Sequence, residues 1–205
     1  MGRLITAAEL QSRDTVRIAR WLLGKVLVRT RRGRSSEFVI TEVEAYNGES
    51  DLACHASKGR TPRTEVLYSA GGVWYVYFVY GMHHMLNVVT GPADYPAAVL
   101  IRGVRAVTGP GRLTKDLGID LAINRSILHP KTGLHLEDPG TEVDPACVRV
   151  TPRIGVDYAG PIWAAKPWRF VLSGDSSATP SPATTGKGRS RPGRPSPKRR
   201  TRSER

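Results

Sequence analysis

Only two cysteines, Cys54 and Cys147, occur in the 205 residues. They stand far apart and form neither a CxxC pair nor a zinc spacing. A disulfide framework, a zinc finger and an iron–sulfur site are therefore excluded, and a reduced, cytoplasmic protein is expected. No stretch approaches the ~18 uninterrupted apolar residues of a membrane span. The opening MGRLITAAELQSRD lacks the apolar run of a secretory signal. HExxH and comparable spacings are missing, so no metal is expected. Gly109-Pro110-Gly111-Arg112 is too short for a phosphate-cradling Walker loop. No internal repeat is present. Acidic residues are few, 18 against 31 Lys and Arg, which gives a formal net charge of +13.

What is present suits one domain with a tail. Hydrophobic residues make up 40% of the chain, enough for a sizeable core. The charge is uneven. Residues 173–205 hold nine basic and two acidic residues and no apolar side chain larger than alanine. Such a composition cannot offset its ordering entropy, so a disordered basic tail is expected. It reads equally as a polyanion tether or as a solubilising extension. Residues 1–172 hold 22 basic and 16 acidic residues, only a modest excess.

Along this body, Thr6 with Glu9 forms a capping-box pattern, and Asp14 caps a short helix Thr15–Leu23 that stops at Gly24. Strands are predicted at Lys25–Arg29 and Glu37–Tyr46, joined by a turn at Arg32-Gly33-Arg34. Residues 47–72 read as loop. Val73–Tyr80, Leu86–Val89 and Ala97–Val107 read as further strands, and Arg112–Leu117 as a helix. Residues 124–147 read as loop-rich, with late strands at Val148–Ile154 and Arg169–Leu172. The absence of βαβ alternation gives an α+β class with a largely antiparallel sheet.

Several residues could carry chemistry. Glu42, Glu44 and Tyr46 share one strand face. Paired carboxylates suit acid–base work, although spacing alone favours a solvated face. In Trp74-Tyr75-Val76-Tyr77-Phe78-Val79-Tyr80, period two puts Tyr75 and Tyr77 on one face and Trp74, Phe78 and Tyr80 on the other. Sheet core is the default reading, and a stacking platform for bases the functional one. Tyr80, before Gly81, sits where a hairpin tip could wedge between base pairs. His83 and His84, being adjacent, suit packing better than chelation. The loop Arg60–Thr64 and a helix start at Arg112 could contact phosphate or merely be exposed.

Together these segments resemble the 3-methyladenine (alkyladenine) DNA glycosylase family. The resemblance runs through Thr41-Glu42-Val43-Glu44-Ala45-Tyr46, His55, Gly59-Arg60-Thr61-Pro62-Arg63, Tyr75 to Met82, Asn87 and Val99-Leu100-Ile101-Arg102. It continues through Gly109 to Leu113, Arg153-Ile154-Gly155-Val156 and Lys166 to Phe170, in order from about residue 4 to 172. It implies a single compact domain, a curved, largely antiparallel sheet edged by short helices, with a protruding DNA-inserting hairpin. It implies a monofunctional base-excision enzyme, without cofactor, acting as a monomer on double-stranded DNA that contains damaged purines: 3-methyladenine, with hypoxanthine and ethenoadenine as further substrates. Glu44 would be the catalytic carboxylate that activates a water, which Arg102 and the Ile154 carbonyl help to position. Tyr46, His55 and Tyr77 would sandwich the extruded base, and Asn87 would reject guanine's exocyclic amine. Tyr80 would fill the vacated stack, while Arg63 and Arg112 contact DNA. Cys54 stands where serine is common, and His83-His84 is a departure that would alter the pocket floor. A non-catalytic binder on the same fold would have no need of Glu44, and an RNA-directed enzyme would meet a minor groove too wide for a wedge.

Overall fold

A computed structural model of the chain describes residues 2–173; the expected disorder of the basic tail lies outside the described residues. Ten strands and four short α-helices form one unit. The strands are β1 (Arg3–Leu4), β2 (Val26–Arg31), β3 (Arg34–Asn47), β4 (Trp74–Val79), β5 (His83–Val89), β6 (Ala97–Val104), β7 (Val107–Thr108), β8 (Leu134–Asp138), β9 (Val148–Thr151) and β10 (Arg169–Leu172). The helices are α1 (Ala7–Leu10), α2 (Thr15–Leu22), α3 (Pro110–Leu117) and α4 (Gly160–Ala164). The main sheet runs β1-β8-β2-β3-β6-β5-β4, and every strand pairing among the described residues is antiparallel.

Alternation along the central strands divides the sheet into two chemically different faces. Val43 and Ala45 of β3, Trp74 and Val76 of β4, Leu86 and Val88 of β5, and Val99 and Ile101 of β6 join one buried cluster. Helix α2 adds Ile18, Ala19 and Leu22, and α3 adds Leu113 and Leu117, so these two helices cover this face. Each valine, leucine or isoleucine among them removed from water contributes about 1.5–3 kcal/mol before ordering costs. Asp14 caps α2 by accepting from Arg17 N–H at 2.9 Å. The opposite face carries Tyr46, Tyr75, Tyr77, Asn87, Leu100 and Arg102, and there the second, smaller cluster forms around Cys54, Val66, Leu67 and Tyr75.

β3 is the hinge of the architecture. Its first half, Arg34–Val39, pairs with β2; its second half lies between β6 and β10. Register shifts between Ile40, Glu42 and Val43 mark an irregularity opposite Gly103 and Ile101, and Arg102, within the shifted stretch, donates to both Glu42 and Glu44.

Several boundaries differ from those read in the sequence. β8 lies within 124–147, where loop was expected. Its run Leu134-His135-Leu136-Glu137-Asp138 puts Leu134 and Leu136 in the core and buries His135 and Glu137 on the other face: His135 Nε2 bonds Glu137 Oε1 at 3.1 Å, Gly2 N–H donates to Glu137 Oε2 at 3.0 Å, and His135 Nδ1 is buried without a partner among the described residues. The strand expected over Ala97–Val107 is broken after Val104, because Ala106 has φ 73° and the chain folds back into β7. The strand expected to reach Ile154 stops at Thr151, before Pro152, which cannot donate to a ladder. β5 begins at His83 rather than Leu86, and β1 and α4 are too short to leave a periodic signal.

Candidate active site

The polar face of the sheet opens into a cavity of about 310 Å³. Its walls come from β3, β4, β5 and β6, from the loop that carries Ala53, Cys54 and His55, and from the segment 154–158. Tyr46, His55, Tyr77, Asn87, Arg102 and Ile154, separated by up to 108 residues in sequence, all line it, as do Tyr80 and Arg63. Arg112 does not. It lies on α3 with an exposed side chain, 3.9 Å from Asp116, although Pro110 of the same helix reaches the cavity.

Three rings define one side. His55 begins a 3-10 turn, His55–Lys58, and its ring meets Tyr77 edge-on with centroids 4.6 Å apart. Tyr75 and Tyr77 lie 5.3 Å apart. The Tyr75 hydroxyl and His55 Nδ1 are hydrogen-bonded at 2.9 Å, and Arg63 Nη2 stands 3.5 Å from His55 Nε2. Burial above all, aided by the Arg63 charge, holds the imidazole down at about 4, so it is neutral at physiological pH. The Arg63 guanidinium also lies 5.4 Å from the Tyr77 ring centre, within cation–π range. Cys54, buried next to His55, has its thiol pushed up to about 12 by desolvation and packs as a small apolar group.

Behind another wall sits Glu44, with 0% of its surface exposed. Its carboxylate does not itself open onto the cavity, but all three of its hydrogen-bond donors line it. The Tyr46 hydroxyl donates to Oε2 at 2.8 Å, Arg102 Nη1 to Oε2 at 3.3 Å, and Ile154 N–H to Oε1 at 2.8 Å. Desolvation raises this carboxyl above the usual glutamate value, against the pull of Arg102, Ile154 and Tyr46. Glu42, two residues earlier, differs. Burial pushes it up, but Arg169 Nε at 2.7 Å and Arg102 Nε at 2.8 Å outweigh burial and hold it below the usual value. Thus two glutamates on one strand are tuned in opposite directions, Glu42 as a fixed anion that orients Arg102, Glu44 as the stronger base.

Asn87 is buried, and both hydrogens of its amide are committed, to the carbonyls of Tyr75 at 3.1 Å and Met85 at 3.2 Å. Its orientation in the cavity wall is therefore set by the backbone. Tyr80 is 80% exposed at the tip of the β4–β5 hairpin, followed by exposed Met82. Strand parity puts Tyr80 with Trp74, on the face away from the cavity. The structure puts it at the cavity mouth, because Tyr80 takes φ 54° and Gly81 φ 66°, and this left-handed pair reverses the side chain's direction. His83 and His84, expected at the pocket floor, lie outside it: His84 packs on Phe78 with centroids 4.9 Å apart, and an added Cβ at Gly111 would come within 2.7 Å of the His83 ring. Met85 takes the lining position.

Residues not singled out in the sequence complete the site. Arg153 and Asp51 form an ion pair with no exposed side-chain surface on either partner, Nη1–Oδ2 2.6 Å and Nη2–Oδ1 2.9 Å. Breaking such a buried pair by removing one partner costs about 3–5 kcal/mol. Tyr158, in a 3-10 turn Asp157–Ala159, lines the cavity and donates its hydroxyl to the Ala53 carbonyl at 3.0 Å. Among the described residues no group of three or more His, Cys, Asp and Glu side chains could hold a metal ion, and no helix is long and apolar enough to cross a membrane.

A buried carboxylate thus stands behind an aromatic cavity, with an exposed tyrosine at the tip of the neighbouring hairpin. Comparison with known proteins gives the class directly. The family model described as methylpurine-DNA glycosylase matches residues 9–109 and 104–176, and the chain belongs to that family. It is accordingly a DNA glycosylase, a DNA-repair hydrolase of N-glycosyl bonds. Relatives whose names carry the words 3-methyladenine DNA glycosylase include one from Myxococcus xanthus, 48% identical over 180 residues that cover 83% of this chain and 91% of the relative. Another, from Psychrobacter cryohalolentis, is 41% identical over 77% of this chain and 85% of the relative. A third, from Prosthecochloris aestuarii, is 38% identical over 90% and 96%.

Proposed function

We propose that the chain excises 3-methyladenine from duplex DNA, with hypoxanthine and ethenoadenine as further substrates, by a water that Glu44 activates. The observation that carries this reading is the wholly buried Glu44, whose three hydrogen-bond donors all border the aromatic cavity. Hydrolysis at C1′ needs a group that takes a proton from water and stabilises the positive charge that grows on the sugar. A desolvated carboxylate serves both needs, since burial raises its basicity and lowers the local dielectric. Water entering where Tyr46, Arg102 and Ile154 meet gives its proton to Glu44 as its oxygen bonds to C1′ and the C1′–N9 bond breaks. A cationic 3-methyladenine takes the bonding electrons and leaves neutral.

The remaining roles follow from ring chemistry and sterics. Tyr46 on one side, with His55 and Tyr77 on the other, stack on an extruded purine, and electron-poor alkylated rings gain most. A neutral His55 avoids repelling a cationic base. Asn87, fixed by two carbonyls, rejects guanine's amino group. Tyr80 at the hairpin tip fills the gap in the stack. Arg63, Arg112 and the basic segment 173–205 contribute charge toward phosphates, and the enzyme works as a monomer in the cytoplasm.

The test is Glu44→Gln, assayed beside the wild type on duplexes carrying 3-methyladenine or hypoxanthine. Excision is expected to fall by at least ~10²–10⁴-fold, while duplex affinity stays within about threefold. Full activity in this variant removes Glu44 from the reaction.

A further inference from the structure

We propose that the buried Arg153–Asp51 pair is a positioning device that aims the Ile154 N–H at Glu44, so that the ionisation of the general base depends on two residues that never meet the substrate. The inference rests on the role given to Glu44 above. Arg153 ties together four separate parts of the chain. Besides its forked bond to Asp51, Nη1 donates to the Ala45 carbonyl at 2.9 Å, next to Glu44 on β3, and Nη2 donates to the Trp163 carbonyl on α4 at 3.2 Å. Its guanidinium lies between the rings of Tyr46 and Trp168, 4.9 and 5.0 Å from their centres. Asp51 in turn accepts from Asn47 N–H and Ala53 N–H, both at 3.1 Å, which fixes the loop between Tyr46 and His55.

The consequence falls on the neighbouring residue. Ile154 follows Arg153 directly, outside any strand, and its side chain is 51% exposed. Gly155 after it holds φ 73°. Apolar packing therefore does not fix the Ile154 amide; the Arg153 side chain does. That amide donates one of the three hydrogen bonds on the Glu44 carboxylate. A bond to the charged form favours ionisation, so its loss drives Glu44 toward protonation and out of use as a base. The other groups facing Glu44 are Glu42 and Tyr46 on its own strand, Arg102 on β6, Arg169 opposite it on β10, and Tyr77 on β4. None of them touches Ile154 N–H, so the Arg153 contribution can be separated from theirs.

A purely architectural ion pair makes a contrasting claim. It would lower stability when broken but leave the folded molecules working with an unchanged base. One nitrogen argues against a simple stabilising role: Arg153 Nε is buried without a hydrogen-bond partner among the described residues. The fork is directed to Asp51 and two carbonyls at the expense of that donor.

The experiment uses the full chain with Asp51→Asn and Arg153→Lys. Lysine keeps the charge but cannot span Asp51 and both carbonyls; asparagine keeps the shape but removes the ion pair. Single-turnover release of 3-methyladenine from alkylated duplex DNA is followed against pH, with activity expressed per folded molecule from a parallel thermal melt. The expected result is a fall in the rate constant on the acid side of the profile of up to about tenfold. The acid limb should move upward by about one pH unit, with DNA affinity retained. Asp51→Glu, which restores the anion, should recover part of the shift. In parallel, the carboxyl carbon of Glu44 is titrated by NMR in the free protein, a readout that needs no activity. An upward move of its midpoint in either folded variant supports the proposal; an unmoved midpoint with an unmoved acid limb overturns it. If the wild type releases no base while the Glu44 midpoint still moves, the functional reading fails and the positioning role stands.

Discussion

At the scale of single residues, the site works by setting similar groups to different charge states. Glu42 and Glu44 share a strand face, yet one is held low by Arg169 and Arg102 while the other is raised by burial. His55 is the clearest case for titration. Its folded-state value of about 4 lies below the ordinary imidazole value of ~6.5. As pH falls, the unfolded chain takes up this proton first. The stability linked to His55 is thus complete above the unfolded value and is lost as pH falls from there through about 4. An NMR titration of the imidazole should show a midpoint near 4, and replacing His55 by an uncharged residue should flatten the loss of stability across that window. A midpoint at the ordinary value would show that solvent reaches the ring. Glu44, Tyr46, Tyr77, Asn87 and Arg102 were picked out through the family resemblance, since spacing alone favoured a solvated face for the glutamates and sheet core for the tyrosines; the structure brings Tyr46, Tyr77, Asn87 and Arg102 to one cavity. The Arg153–Asp51 pair was not legible in the sequence, since two charged residues 102 positions apart leave no local trace of their meeting.

At the scale of elements, the β4–β5 hairpin shows how a turn can overrule alternation. Period two gave the right faces for Trp74, Tyr75 and Tyr77 and the wrong one for Tyr80, because the chain reverses through two left-handed residues. A bulky side chain in that region costs about 1–3 kcal/mol and persists where it serves a purpose. Asparagine tolerates the same backbone. Tyr80→Asn should therefore melt no lower than the wild type, yet lose about tenfold in preference for damaged over undamaged duplex, the loss of roughly one stacked ring. Competition binding with the two duplexes measures it, and equal losses on both would argue against insertion at a lesion. β8 was missed for a different reason: only Leu134 and Leu136 face the core, too short an alternation to stand out, while the positions between and after them hold His135 and Glu137, buried against each other and Gly2.

At the scale of the whole molecule, the densest run of basic charge lies apart in sequence from the residues of the cavity. Nine of the 31 basic residues follow Ser173, beyond the last described strand, while the cavity is built wholly from residues 46–158. Truncation after Gly174 should leave single-turnover excision unchanged, because the backbone hydrogen bond from Ser173 N–H to the Cys147 carbonyl is kept. It should reduce the slope of log affinity against log salt by about 0.9 for each phosphate that the segment had neutralised. An unchanged slope would show that the segment does not touch DNA. The strand order carries a last consequence, one for the making of the protein. Both glutamates of β3 are synthesised early, but Ile154 N–H reaches Glu44 from 110 residues downstream, and Arg169 reaches Glu42 from 127. A chain that ends just before β10 holds every residue that lines the aromatic cavity, yet its Glu42 lacks Arg169 and its β3 has an open edge.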